Sequence, residues 1–144
     1  MECADRRCDH DPNSVTTDTD DQVMIYWDRT VETARALPHN RPDVVVVDKR
    51  SGKWTLVDFL VPLGKNVVKK EDEKVEKYLQ LAQEIRKMHR VNTEIIPIVI
   101  GALGTVPKSL PRYLKELGIP DVIGSMQMTV LLRTTRILKN VLSL

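Results

Sequence analysis

The chain has little cysteine and little aromatic mass. Two of its 144 residues are cysteine, Cys3 and Cys8, and aromatic residues make up 4% of the sequence. Because both cysteines lie among the first ten residues, disulfide bonds cannot hold the rest of the chain together, which favours a reducing compartment. Hydrophobic residues still make up 42%, enough for one domain with its own core.

Long hydrophobic runs are also missing. No apolar run approaches the ~20 residues that a membrane-spanning helix needs. The first residues, MECADRRCDHD, lack the hydrophobic stretch of a secretory signal. We therefore expect a protein that is neither secreted nor held in a membrane.

Acidic residues are concentrated at the N-terminus. Residues 1–21 hold seven acidic residues and two arginines, which leaves 20 basic and 13 acidic residues, a formal charge of +7, for residues 22–144. The polar, acidic composition of 1–21 predicts a disordered leader or linker, followed by one folded domain over 22–144. A basic domain suits a polyanionic partner, although a solvated basic surface has the same composition.

The hydrophobic patterns predict a mixture of strands and helices. Strands are predicted over 23–28, 43–47, 54–61 and 94–104, and helices over 69–90, 109–117 and 124–143. The run 43–47 (DVVVV) is typical of a strand buried on both faces, and a basic turn joins it to 54–61. Pro97 favours an edge strand or a bulge. This order predicts an α/β fold with a mixed central sheet flanked by helices.

Helical spacing also predicts which helix residues face the core. In the helix over 69–90 one stripe contains Val75, Tyr78, Leu79, Ala82 and Ile85. In the last helix the predicted inward residues are Val130, Leu131, Ile137, Leu138, Val141 and Leu142. Both helices are therefore expected to pack an apolar face inward.

Two acidic residues interrupt the hydrophobic hairpin. Asp43 opens the first strand just after Pro42, and Asp58 stands between Val57 and Phe59 in the second. A hairpin can bring such residues side by side, and Mg²⁺ prefers one or two carboxylates together with waters and substrate phosphate. A metal would also offset the cost of burying their charge. The alternative is a strand-end carboxylate that reaches solvent or an arginine, which is favoured for Asp43 alone because it follows a turn.

The following helix offers a cation for the same site. At 100° per residue, Lys74 lies on the flank of the apolar stripe in line with Tyr78, whereas Lys77 points further towards solvent. Glu71 lies near the centre of the inward face at the helix start. A lysine here could stabilise negative charge at phosphorus or orient an attacking water. The alternative is an ordinary surface charge of the helix.

Five segments resemble those of one nuclease branch. They are RPDVVVVDK, LVDFLVP, EKVEKY, IIPIVIGALG and TVLLRTTRILKNVLS. Together they resemble the PD-(D/E)xK nuclease superfamily, and within it the restriction-like endonuclease domain at the C-terminus of reverse transcriptases of non-LTR retrotransposons. The resemblance spans roughly residues 22–144 and implies a restriction-endonuclease-like fold.

The resemblance assigns roles to individual residues. It implies that Asp43 and Asp58 bind Mg²⁺ or Mn²⁺, that Lys74 is the catalytic lysine and that Tyr78 assists it. The superfamily usually keeps its lysine two residues after the second acid, where this chain has Leu60. In the retrotransposon branch the lysine has moved to the next helix, within K-x-x-K-Y. Two basic residues, Arg41 and Lys77, are implied to contact nucleic acid, and Lys77 could also share or take the lysine role.

The implied activity is metal-dependent nicking of target DNA. In the family, the freed 3′-hydroxyl primes reverse transcription, so the implied partners are DNA, the element's reverse transcriptase and its RNA. The implied location is the nucleus, or the cytoplasm before import. This chain carries no reverse transcriptase and would be a detached endonuclease domain.

Two other functional interpretations fit the same sequence. The same fold could be a catalytically inactive relic that binds nucleic acid, or a junction resolvase that prefers branched DNA. The spacing of Cys3, Cys8 and His10 resembles an incomplete zinc knuckle that lacks a fourth ligand. His89, at a helix end, is expected to interact favourably with the helix dipole.

Overall fold

A computed structural model of the chain describes residues 15–17, 22–119 and 122–142. Within these ranges the strands are β1 (Val15–Thr17), β2 (Val23–Trp27), β3 (Val44–Asp48), β4 (Lys53–Leu60) and β5 (Asn92–Val99). The helices are α1 (Val67–His89), α2 (Leu110–Glu116) and α3 (Ile123–Leu142). The helices lie within two residues of their predicted bounds. The last strand ends earlier, because the chain turns from Gly101 to Thr105.

The strands form a five-stranded mixed sheet in the order β1-β2-β3-β4-β5. The pairs from β1 to β4 are antiparallel. Beyond Leu60 the chain runs parallel to the segment after β5, because the N–H of Ile100 donates to Leu60 O and that of Ala102 to Pro62 O, at 3.1 and 2.8 Å. The connection from β4 to β5 contains α1, as parallel strands require. The predicted α/β class with a mixed sheet is confirmed.

Pro97 occupies an edge strand, as its sequence position predicts. β5 is the last strand of the sheet, and directly after it the N–H groups of Ile100 and Ala102, two residues apart, donate to the chain at Leu60 and Pro62. With a period of two, the nitrogen at position 97 faces away from β4. Proline therefore removes no hydrogen bond from the ladder, and its ring is fully buried.

The sheet begins inside the segment predicted as a leader. β1 pairs with β2 through Val15 opposite Tyr26 and Thr17 opposite Met24. These three residues belong to the sheet. The remainder of the segment, with Cys3, Cys8 and His10, lies outside the described residues.

The chain divides into two compact units. The first unit comprises Met1–Val57 and Gln80–Glu94, and the second comprises Asp58–Leu79 and Ile95–Leu144. The buried apolar residues of the first unit are Val44, Val45, Val47, Leu56, Val57, Leu81, Ala82 and Ile85. Those of the second are Val67, Tyr78, Ile96, Ile98, Val99, Ile100, Ala102, Leu110 and Leu114. Each unit therefore has its own buried residues.

The inward stripe of α1 largely follows the helical period. Tyr78, Ala82 and Ile85 are buried and Val75 is half-buried. Leu79 is 45% exposed, so its predicted inward position is wrong. It lies 100° round the helix from Tyr78, which carries it out of the buried face.

The predicted burial of α3 is wrong. None of its 20 residues is buried, and Ile137 is 62% exposed and Val141 74%. The face expected to be buried also makes polar contacts, since Gln127 Nε2 donates to Gly104 O at 2.8 Å and Thr134 Oγ1 to Ala102 O at 2.7 Å. The same face continues into the last turns of the helix, where its apolar side chains stay exposed. Within the described ranges, no helix is both long and apolar enough to cross a membrane.

Candidate functional site

The second unit contains a buried ion pair between β4 and α1. Asp58 is 3% exposed, and its Oδ2 lies 2.5 Å from Nζ of Lys74. Lys74 keeps 18% of its side-chain exposure. Burial without a partner would cost the carboxylate several kcal/mol, so the lysine is what allows an aspartate at this position of a hydrophobic strand.

Strand and helix periodicity together produce this contact. Successive side chains of β4 alternate between its faces, and Asp58 projects on the face that meets α1. On α1 the positions 71, 74 and 78 share a face at a spacing of three and four residues. The predicted position of Lys74 on the flank of the apolar stripe is therefore the one that reaches the carboxylate.

Tyr78 completes the cluster around Asp58. Its hydroxyl donates to Asp58 Oδ1 over 3.4 Å, a long hydrogen bond, and its ring is 1% exposed. Lys77 Nζ lies 4.9 Å from the centroid of the Tyr78 ring, close enough for a cation–π contact. The two lysines of the K-x-x-K-Y segment thus have different contacts. Lys74 binds the carboxylate, and Lys77 rests on the tyrosine ring.

Asp43 belongs to the first unit. It precedes Val44, the first residue of β3, which pairs with Val57 of β4. Asp43 is half-buried, and its carbonyl oxygen accepts the N–H of Asp28 at 2.8 Å. The backbone that carries this predicted ligand is therefore tied to the end of β2.

Arg41 is held by the same aspartate. Its Nε and Nη2 donate to the two carboxylate oxygens of Asp28 at 2.8 and 3.0 Å, a bidentate ion pair. Both side chains are more than half exposed, so this pair can exchange for a phosphate at little cost. Sequence reasoning missed Asp28. Its φ of 48° is a left-handed conformation, in which aspartate is enriched, but no pattern links it to a partner 13 residues away.

A second buried carboxylate lies on the same face of α1. Glu71 is 7% exposed, and the hydroxyl of Ser109, just before α2, lies 2.7 and 2.6 Å from its two oxygens. A hydroxyl has one proton and donates to one oxygen at a time. The inward position of Glu71 is confirmed, whereas sequence reasoning missed Ser109, whose place before a helix is typical of an ordinary cap. Its side chain makes no capping bond.

The donor atoms of the cluster suit a hard cation only in part. Asp58 offers carboxylate oxygens, which Mg²⁺ and Mn²⁺ accept. Across residues 15–17, 22–119 and 122–142, no group of three or more His, Cys, Asp or Glu side chains is arranged to hold a metal ion. A cation at Asp58 would therefore take further ligands from a second acid, waters or a substrate phosphate.

The cluster combines a fixed carboxylate with a cation that reaches the surface. Asp58 is held at both oxygens, by Lys74 and by Tyr78. Lys74 is the more exposed of the three, so a phosphate would reach its ammonium group first. No family model matches this chain, and no curated protein matches it.

Proposed function

We propose that the chain is a divalent-metal-dependent DNA endonuclease domain of the restriction-like type, which nicks target DNA for retrotransposon integration. The observation that carries the proposal is the contact between Lys74 and Asp58. A nuclease of this type needs a lysine beside its second acid, and Leu60 leaves the usual position without one. Here the lysine comes from the following helix instead. Lys74 of α1 contacts Asp58, the proposed second acid, and would supply that cation.

Asp43 and Asp58 would hold the metal ion, Mg²⁺ or Mn²⁺. When bound, it would supply a Lewis acid for a phosphate oxygen and a more acidic water. Asp58 is preorganised for this role, because Tyr78 and Lys74 hold its two oxygens and restrict its rotation. The choice of Asp43 is based on the resemblance of its segment, RPDVVVVDK, to that of the nuclease branch.

Lys74 would stabilise the negative charge that develops at phosphorus. Its ammonium group has three protons and can keep one on Asp58 while it donates another to a phosphate oxygen. Two further cations, Lys77 and Arg41, would contact the DNA backbone. Lys77 is held near the cluster by the Tyr78 ring, and Arg41 is exposed.

Plasmid nicking tests the proposal. The protein is expected to convert supercoiled plasmid to open circles in Mg²⁺ or Mn²⁺ but not in EDTA. Asp43→Asn, Asp58→Asn and Lys74→Ala should each lower the rate about 100-fold or more, because each removes a charge that acts in the transition state. A polymerase should extend the nick without prior phosphatase treatment, since integration requires a free 3′-hydroxyl.

Glu84→Gln is the matched control. Glu84 is another buried carboxylate of α1, and Arg35 Nε lies 3.1 Å from its Oε1 in the first unit. This variant should nick at the wild-type rate, which separates loss of a catalytic charge from loss of any buried ion pair. Circular dichroism should show that all variants remain folded. Wild-type nicking by folded Asp58→Asn would contradict the mechanism.

A second candidate is a nucleic-acid-binding domain without cleavage. The observation that favours it is that Lys74 already neutralises Asp58, while the described residues offer no cluster of three metal-ligating side chains. It predicts salt-dependent DNA binding with no nicking in either metal. Binding without cleavage by a folded, metal-loaded protein would select this candidate.

A further inference from the structure

The first unit contains a cleft that the proposed nuclease site does not use. It has a volume of about 430 Å³, within the range of small-ligand sites, about 300–1,000 Å³. The residues that line it include Tyr26, Arg29, Glu32, Trp54, Met88 and His89. They come from β2, the segment after it, β4 and the end of α1. The cleft therefore collects aromatic, cationic and carboxylate side chains from four parts of the chain.

Aromatic rings form one wall of the cleft. Trp54 and His89 stack with their ring centroids 4.6 Å apart and their planes inclined by 23°. Trp54 is half-buried and His89 exposed at the end of α1, so the stack reaches from the sheet to the surface. The chain has six Phe, Trp and Tyr residues, and two of them, Tyr26 and Trp54, line the cleft. This wall offers a platform on which a further flat ring can stack.

Arg29 lines the cleft beside one aromatic ring, and two further cations lie on the turn that precedes Trp54. Arg29 Cζ lies 5.8 Å from the centroid of the Tyr26 ring, and the arginine is exposed. The basic turn between β3 and β4, with Lys49 and Arg50 exposed, is hydrogen-bonded to the start of β5, because Asn92 N donates to Gly52 O at 3.0 Å. Positive charge therefore lies in the cleft at Arg29 and on the turn that leads into the strand of Trp54. A ligand in which aromatic rings alternate with negatively charged groups fits this arrangement.

Glu32 gives the cleft a hydrogen-bond acceptor. A carboxylate repels phosphate, but it accepts a hydrogen bond from the exocyclic amino group of cytosine or adenine. Thymine and uracil lack such an amino group. The base should therefore lie towards Glu32 and the adjacent phosphates towards Arg29.

We propose that this cleft binds an unpaired nucleobase of a single-stranded nucleic acid, stacked on the Trp54–His89 pair, with the adjacent phosphates at Arg29. Stacking on aromatic side chains with a cationic track for the backbone is the general means of binding single strands. A duplex keeps its bases stacked on each other and cannot present one to the cleft. The chemistry is shared by DNA and RNA, and the test below distinguishes them.

Fluorescence anisotropy in EDTA tests the site without any need for cleavage. The probes are labelled oligo(dC) and oligo(rC) of about 12 nucleotides, within the ~4–16 that such sites cover, and a duplex of the same length. We expect tighter binding of at least one single strand than of the duplex. Trp54→Leu and His89→Leu should each weaken single-strand binding about 5- to 150-fold and leave duplex binding unchanged. The single strand that binds more tightly, DNA or RNA, identifies the sugar of the preferred ligand.

Tyr113→Leu is the matched control. Tyr113 of α2 also carries an arginine over its ring, with Arg112 Cζ 4.9 Å from the centroid, but it lies outside the cleft. This variant should bind every probe as the wild type does. His89 is exposed, so its replacement tests the stack even where Trp54→Leu weakens the fold. Equal affinity for duplex and single strand, or unchanged single-strand binding by folded His89→Leu and Trp54→Leu, would overturn the proposal.

Discussion

Lys74 Nζ lies 2.5 Å from Asp58 Oδ2, so a helix residue neutralises a carboxylate that a hydrophobic strand buries. The two residues are 16 positions apart in sequence. The contact joins α1 to β4 within the second unit. A metal ion at Asp58 would therefore share the carboxylate with Lys74, which already binds one of its two oxygens.

Loss of Lys74 should destabilise the protein. Lys74→Met keeps the length of the side chain but leaves Asp58 buried without its counter-charge, which typically costs about 3–5 kcal/mol. Asp58→Leu should cost less, because it removes the buried charge itself. Urea unfolding followed by circular dichroism measures both, with the Lys74→Met variant showing the lower midpoint.

The double variant separates a coupled pair from two independent effects. If the ion pair accounts for the loss, Lys74→Met combined with Asp58→Leu should be more stable than Lys74→Met alone. Its destabilisation should fall well below the sum of the two single losses. Strictly additive losses would show that the two side chains do not depend on each other.

The sequence predicts the flank position of Lys74, though not its ion pair with Asp58, because both periods are local. A strand alternates its side chains and a helix repeats every 3.6 residues, so the flank position of Lys74 follows from counting. Burial of Asp58 follows from its apolar neighbours, and the mixed sheet follows from the order of the elements. These features can be predicted from the local sequence, without knowing which distant residues contact each other.

Other contacts depend on tertiary structure that no local pattern encodes. Ser109 and Glu71 are 38 positions apart, and the serine turns to the glutamate instead of capping its own helix. The apolar face of α3 has the period of a buried helix, yet Ile137 is 62% exposed. Periodicity shows which residues share a face, but another element must be present to cover it.

The β3–β4 turn should make stability depend on acid pH. The hydroxyl of Ser51 donates to Asp48 Oδ2 at 2.8 Å and lowers the pKa of that carboxyl below its ordinary value of 3.8. A lowered pKa means that the fold favours the charged carboxylate. The turn therefore contributes its full stability above about pH 3.8 and loses it as the pH falls through the lower folded-state pKa.

Ser51→Ala should raise the pKa of Asp48 towards 3.8. NMR titration of the side-chain carboxyl carbon measures this directly. The stability difference between wild type and Ser51→Ala should be largest at neutral pH and shrink below about pH 3.8. Ser125→Ala, at an exposed position of α3, is the control and should leave the titration unchanged. An identical Asp48 titration in Ser51→Ala would contradict the assignment of the hydroxyl as the main cause.

Two glycines of the second unit should respond differently to replacement by alanine. Gly104 has a φ of +89°, and an added Cβ would lie 3.4 Å from Cδ1 of Leu131. Gly104→Ala should therefore destabilise the protein by about 1–2 kcal/mol, chiefly through the left-handed backbone. Gly124 lies in the first turn of α3 with nothing within 4 Å of an added Cβ, so Gly124→Ala should be neutral or stabilise by up to about 1 kcal/mol. Thermal unfolding distinguishes them, and a higher midpoint for Gly104→Ala than for Gly124→Ala would show that the turn at 101–104 does not require its left-handed residue.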